Sequence, residues 1–294
     1  MRLITSIGVS LIVLTLSAGA VQLSPREAAA QGWPWWAFES VLEEVQDRGT
    51  LRVGLGLFEP WSACNADGEL IGFEIDVATQ VAEDMGVAVE FVRTHWPYII
   101  PALLAEEFDV IISGMAVLPS RNLQVNFTQP YYYWGVFVVA HTENAAALLT
   151  PDDFNSPDVT IAVPRGSSAI PAVARHFPDA TVRLYESEAA VLRAVVAGEV
   201  HAATAFAVTA QEWVLANPDT LHVAFDFELA RFGQAMAIRK GDLDTLNFLT
   251  NWIEARTADG WLIDRQAYWF EQREWVERVA TEPAVRAACE ESFR

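Results

Sequence analysis

The sequence predicts an α/β protein built as two lobes, and three observations predict it. From Leu51 onward, short β-rich runs alternate with helical stretches. The same alternation restarts after a break at Thr128-Gln129-Pro130-Tyr131, and the helices that close the chain are too few to form a third domain. Parallel βαβ units follow from such alternation, with helices laid on the sheet faces.

Taken in order, residues 51–55 read as a strand, 73–85 as a helix, 87–92 as a strand, 99–105 as a helix and 110–113 as a strand. After the break, 136–140 and 159–163 are strands, 168–176 a helix, 181–184 a strand, 188–197 a helix and 202–206 a strand. Residues 235–239 add one more strand, and helices follow at 243–256 and 261–269. The expected division is a first lobe over 31–132, a second over 133–230, and a return over 231–294 that completes the first. Two crossings between lobes make a hinge, and the cleft they leave is where a small ligand sits. A Trp- and Pro-rich stretch, Gly32-Trp33-Pro34-Trp35-Trp36, and a short amphipathic helix at 38–45 come before the first strand.

The beginning of the chain sets the expected compartment. Arg2 precedes an uncharged apolar run that ends in small residues, the layout of a secretory signal over 1–30, with a periplasmic product. Ala18-Gly19-Ala20 and Ala28-Ala29-Ala30 both offer a cleavage pattern, and the choice between them stays open. Cys64 and Cys289 belong to an oxidising compartment where a disulfide is permitted, although two cysteines so far apart leave their pairing open. Acidic residues number 39 against 19 basic ones, for a net charge of −20, which makes nucleic acid and anionic membrane surfaces poor partners. An apolar fraction of 52% with 11 Trp excludes a disordered chain.

Several motifs carry a resemblance to a family. Gly72-Phe73-Glu74-Ile75-Asp76-Val77-Ala78, Phe108-Asp109-Val110-Ile111-Ile112-Ser113-Gly114-Met115, Arg121, Phe127-Thr128-Gln129-Pro130-Tyr131 and Arg239-Lys240-Gly241-Asp242 stand in the order and spacing of the extracellular solute-binding proteins of family 3. The chain resembles these amino-acid-binding partners of ABC importers over about residues 51–269. The resemblance implies the type II periplasmic-binding fold, two α/β lobes joined by two crossover strands, here near 131–134 and 229–233. Thr94-His95-Trp96-Pro97, the Ser113-Gly114-Met115 strand end and the aromatic Tyr268-Trp269-Phe270 are similar to the cyclohexadienyl dehydratase branch, enzymes that reuse the fold.

By the same resemblance, Arg121 forks onto a ligand carboxylate, a task suited to a planar, permanently charged guanidinium. Ser113, Gly114, Met115 and Ala116 lie at the strand end, where free backbone N–H groups can meet the same carboxylate; the family usually has a hydroxyl residue where Ala116 stands. In the second lobe Gly166-Ser167-Ser168 follows a strand and opens a helix, so its amides and hydroxyls can receive the other side of an anion, or Ser168 can simply cap the helix. Arg165 can add a second positive contact. Phe58 matches the position whose ring stacks on the ligand, with Trp61 and Trp96 as further walls.

Amino-acid binders of the family hold the ligand ammonium with two carboxylates, and this chain has Leu55 or Gly56 at the first place and Phe206 at the second. A buried ammonium without a carboxylate faces several kcal/mol of desolvation. The expectation is therefore a carboxylate ligand without a bound ammonium, unless Glu59 or Glu74 reaches the cleft. Dehydration of a prephenate-like substrate needs a general acid, and the matching place holds Thr209, with His201 expected as a solvated loop residue far from the cleft. No catalytic triad, phosphate loop, metal-ligand spacing or cofactor motif is present in the sequence. The sequence reading is a monomeric binding protein, without catalytic, cofactor or metal residues, that serves the membrane permease of an ABC importer. The alternatives are a cyclohexadienyl dehydratase-like periplasmic enzyme, or a binding protein that serves a sensor or a periplasmic dehydrogenase.

Overall fold

The structure is a computed structural model that describes residues 40–272 and 274–292. The expected signal at 1–30 and the Trp-rich stretch at 32–36 lie outside the described residues.

Helix α1 (Val41–Arg48) opens the described chain, capped at its start by the Ser40 hydroxyl and stopped by Gly49 in the left-handed region. Asp242, the cap of helix α9 (Leu243–Ala258), also accepts from the Val41 N–H at 3.0 Å, so one carboxylate ties two helix starts together. Strand β1 (Thr50–Leu55) runs parallel to β4 (Ala88–Arg93) and β5 (Val110–Ile111). Helices α2 (Phe73–Met85) and α3 (Ile99–Leu104) make these crossovers, and a separate hairpin of β2 (Ala63–Cys64) and β3 (Leu70–Ile71) lies in the connection from β1 to α2. Buried Asp109 accepts from Arg52 at 2.8 Å and from Arg48, which pins the start of β5 to the end of α1.

Short helix α4 (Pro119–Asn122) leads to β6 (Asn126–Phe127), and β13 (Ala237–Ile238) lies between β5 and β6, antiparallel to both. The first sheet thus reads β4-β1-β5-β13-β6. Its last strands are short: 110–113 contributes only two residues, and so does 235–239.

The second sheet is centred on β7 (Tyr132–His141), in the order β11-β7-β10-β8-β9. Strands β8 (Thr160–Pro164), β9 (Thr181–Tyr185) and β10 (Ala202–Phe206) form its parallel part, and β10 is antiparallel to β7. Helices α6 (Ala169–His176) and α7 (Glu188–Val196) are the crossovers, following α5 (Pro151–Phe154), while α8 (Ala207–Ala216) leads to β11 (Leu221–Val223). His201 is not the solvated loop residue expected: its Nδ1 accepts from the Thr160 N–H at 3.1 Å, which splices the starts of β8 and β10.

Strand β12 (Ala230–Gln234) pairs antiparallel with β7, Gln234 opposite Tyr132, and the ladder continues into the first lobe where Thr128 N–H donates to Met236 at 3.0 Å. Two adjacent straps therefore join the sheets. Helix α9, helix α10 (Trp261–Gln266) and the turn Ala267–Glu271 pack back on the first sheet, with Trp252 and Trp269 donating to Asp84 and Asp76 at 2.7 Å each. Cys64 and Cys289 are paired, and Ala280 N–H donates to the Cys64 carbonyl at 2.8 Å, so the final helix α11 (Pro283–Ser292) is fastened to the first lobe.

Candidate ligand-binding site

The loop after β1 and the end of β5 meet at the lobe boundary. Ser113 is fully buried, and its hydroxyl accepts from the Gly56 N–H at 3.0 Å, which holds the two segments side by side. Gly114 has φ +61°, and a Cβ there would stand 2.8 Å from Trp61 Cδ1 and 2.9 Å from Phe58 Cζ, so only glycine fits under the two rings.

The Gly114 N–H does not stay free for a ligand, as the sequence reading expected. It donates to Glu74 Oε1 at 2.7 Å, where Gln234 Nε2 also donates at 2.7 Å, and Tyr131 donates to Oε2 at 2.6 Å. Trp61 Nε1 in turn donates to Gln234 Oε1 at 2.6 Å. Burial pushes the Glu74 carboxyl up to about 7 against the pull of its three donors. Glu74 is thus a hinge residue, which ties the start of α2 to both straps, and it cannot reach into the cleft for an ammonium. Met115 buries its side chain in the first-lobe core, 1% exposed, and Ala116 offers its carbonyl.

Arg121 enters from α4 and is 9% exposed. Its Nη1 donates to the Ala116 carbonyl and its Nη2 to the Gly166 carbonyl of the second lobe, each at 2.9 Å. The guanidinium carbon lies 5.7 Å from the centroid of Trp96. Burial lowers its pKa to about 10, and no carboxylate among the described residues acts to raise it. A buried cation that faces only carbonyls and an aromatic face carries a desolvation cost that an anion would offset.

On the second-lobe side, Gly166 sits at φ +73° and Ser167 accepts the Ala169 N–H at 3.1 Å. Capping therefore belongs to Ser167, not to Ser168, whose side chain makes no cap bond and whose backbone is already helical. Arg165 is exposed and is paired with Glu186 at 2.6 Å rather than aimed at the cleft. Between the lobes stand rings from both: Phe58 lies 5.0 Å from Trp61, 5.8 Å from Trp96 and 6.4 Å from Phe206, and Phe206 lies 4.3 Å from Trp134. Thr209 donates to the Glu59 carbonyl across the boundary at 3.4 Å.

Two residues that sequence reasoning passed over lie beside this arrangement. Glu188, at the start of α7, reads in the sequence as an ordinary acid in a first helical turn, and nothing marked it. Thr204 carried a signal, being the lone polar residue of the strand Ala-Ala-Thr-Ala-Phe.

Known proteins with similar sequences and structures agree with this architecture. The profile of the bacterial extracellular solute-binding proteins, family 3, matches residues 51–272. The chain is 28% identical over 236 residues to the L-cystine-binding protein of Escherichia coli (strain K12), which covers 80% of this chain and 88% of that protein. It is 24% identical over 240 residues to the cyclohexadienyl dehydratase of Pseudomonas aeruginosa, with 81% of this chain and 88% of the enzyme covered. The crystal structure of an ancestral amino acid-binding protein, a precursor of cyclohexadienyl dehydratase, superposes with a TM-score of 0.72 at 35% identity, over 79% of this chain and 100% of that one. The two sheet-containing lobes are those of the type II periplasmic-binding fold, and with the family profile spanning both of them, this chain belongs to the bacterial extracellular solute-binding proteins, family 3.

Proposed function

We propose that this chain captures a small carboxylate-bearing solute between its lobes in the periplasm and presents it, as a monomer, to the membrane permease of an ABC importer. One observation carries the reading: Arg121, buried at the lobe boundary, joins the first lobe to the carbonyl of Gly166 in the second and faces no anion among the described residues. In the open form Nη2, released from the Gly166 carbonyl, is presented to solvent while Nη1 stays on the Ala116 carbonyl, and a carboxylate takes the place of Gly166. Closure over the solute is what the membrane partner reads. The rings of Phe58, Trp96 and Phe206 receive the apolar part of the solute, with Trp61 behind Gly114.

Relatives bind amino acids by name, L-cystine among them. Here Leu55 is 1% exposed in the first-lobe core and Phe206 is stacked among rings, so neither supplies a carboxylate, and an ammonium on the solute has to be met elsewhere. Binding without turnover is supported at Thr209, where a general acid would stand: its hydroxyl is engaged with the Glu59 carbonyl. Isothermal titration with L-amino acids and their deaminated analogues tests the reading. Binding of at least one carboxylate that is lost in Arg121→Ala is expected, and equal binding by that variant overturns it.

A further inference from the structure

Behind the Trp61 ring lies a buried amide. Gln234 is 0% exposed and is the last residue of strap β12. Its carbonyl accepts from the Tyr131 N–H of the other strap at 3.0 Å. On either side of it, the Gly233 carbonyl accepts from the Val117 N–H at 2.9 Å and the Ala235 N–H donates to the Met115 carbonyl at 3.0 Å. Those two bonds bracket Ala116, whose carbonyl holds Arg121, so the strap enters the first lobe alongside the segment expected to meet an anion.

The side chain makes a different connection. Its Oε1 accepts from Trp61 Nε1 at 2.6 Å, and its Nε2 donates to Glu74 Oε1 at 2.7 Å. An amide serves both partners because it carries an acceptor and a donor at one end. A carboxylate in its place offers Glu74 no N–H, and a hydrocarbon serves neither partner.

Trp61 is a first-lobe ring against which the second lobe seats. It lies 5.0 Å from Phe58 and 5.6 Å from Phe206 of the second lobe, and its edge covers Gly114. The side chain is 1% exposed, and its one polar atom has Gln234 as acceptor. A buried N–H without an acceptor is costly, so loss of the amide leaves the ring to turn off Gly114 and Phe206 in search of another.

We propose that Gln234 is a positioning residue for solute binding, which follows the path of the strap through its backbone and sets the Trp61 ring through its side chain. The inference rests on the carboxylate reading above and assigns the residue that couples lobe closure to the grip on the solute. Rotation of the second lobe bends the straps. Bending moves the Gln234 amide, and the indole follows because its N–H is held there. Phe206 then arrives on a ring already turned to receive it. Solute docked on Arg121 is retained by that seated pair, so Gln234 acts on escape rather than on arrival.

Stopped-flow fluorescence and titration calorimetry test this with whichever of L-cystine, L-arginine, L-glutamine and 3-phenylpropanoate the wild type binds most tightly. Gln234→Leu, a change of similar volume, is expected to weaken binding about tenfold through faster dissociation, with association within about twofold. Trp61→Phe is expected to cost a similar factor. The double variant is expected to lose no more than about twofold beyond the weaker single one, because both changes break the same link. A residue that merely holds the fold together moves the thermal midpoint and shows neither the kinetic split nor this coupling. Should Gln234→Leu fail to fold, Gln234→Met, unbranched and of the same reach, carries the same test. Losses that multiply in the double variant, or an affinity in Gln234→Leu within about twofold of the wild type, overturn the proposal while leaving the carboxylate reading standing. Failure of all four compounds to bind the wild type overturns that reading, and this one with it.

Discussion

Arg121 of the first lobe donates to the carbonyl of Gly166 in the second at 2.9 Å, a bond that crosses the lobe boundary as that of Thr209 to the Glu59 carbonyl does. Arg121→Lys keeps the charge and loses the fork, so affinity for the best carboxylate is expected to fall about tenfold, and in Arg121→Ala about 100-fold or more. The alanine variant also loses a lobe-to-lobe link, so small-angle scattering of the free protein is expected to give a larger radius of gyration than the wild type.

Stability of the free protein is expected to fall as pH rises from 5 to 8. Glu74 and Glu188 are carboxyls whose folded pKa, about 7 and about 8, lies above the ordinary 4.5. Each binds more protons folded than unfolded. Their stabilisation is complete below that ordinary value and is lost as pH climbs through the folded one. For fully buried Glu74 the loss is on the order of a few kcal/mol. Thermal midpoints at the two pH values measure it. Glu74→Gln is expected to flatten the slope, and a midpoint that rises towards pH 8 contradicts the assignment.

Reduction of the Cys64–Cys289 pair, or Cys289→Ser, releases the last helix from the first lobe. A loss of about 2–5 kcal/mol is expected in denaturant unfolding. Ligand affinity is expected to stay within about twofold, because the bond lies outside the cleft, and additivity holds for distant sites.

Gly114→Ala meets two obstacles at once, a left-handed backbone and a Cβ 2.8 Å from Trp61. A destabilisation of about 1–3 kcal/mol is expected, and because the shifted rings line the cleft, affinity falls with it.

No formation of phenylpyruvate from prephenate is expected above the buffer rate. Thr209 cannot serve as an acid, and Glu188 is the carboxyl a turnover assay would implicate, being held protonated towards pH 8. Wild type and Glu188→Gln assayed together settle the point: turnover in the first that is absent in the second makes this chain an enzyme.

Much of the fold was legible because its signals are local. Helices 73–85 and 188–196 show periodic apolar faces, and β1 and β8 are β-rich runs with glycine close to their ends. Helix α8 escaped notice because it begins at Ala207 directly after the strand ends at Phe206, with no turn residue between them. Strands of two or three residues such as β2, β6 and β11 have too few positions for any period to appear.

The sequence by itself determined the class of fold, the family and the residues worth testing, since alternating patterns and motif spacing are written along the chain. Only the tertiary structure decided what each residue does. Glu74, an open candidate for the cleft, is enclosed by donors from residues 40 to 160 positions away. Glu188, unmarked in the sequence, is pushed up to about 8 by burial and by the charge of Glu59 from the first lobe. Burial and partnership set the charge state of a carboxyl, and both are properties of the surroundings that folding brings together.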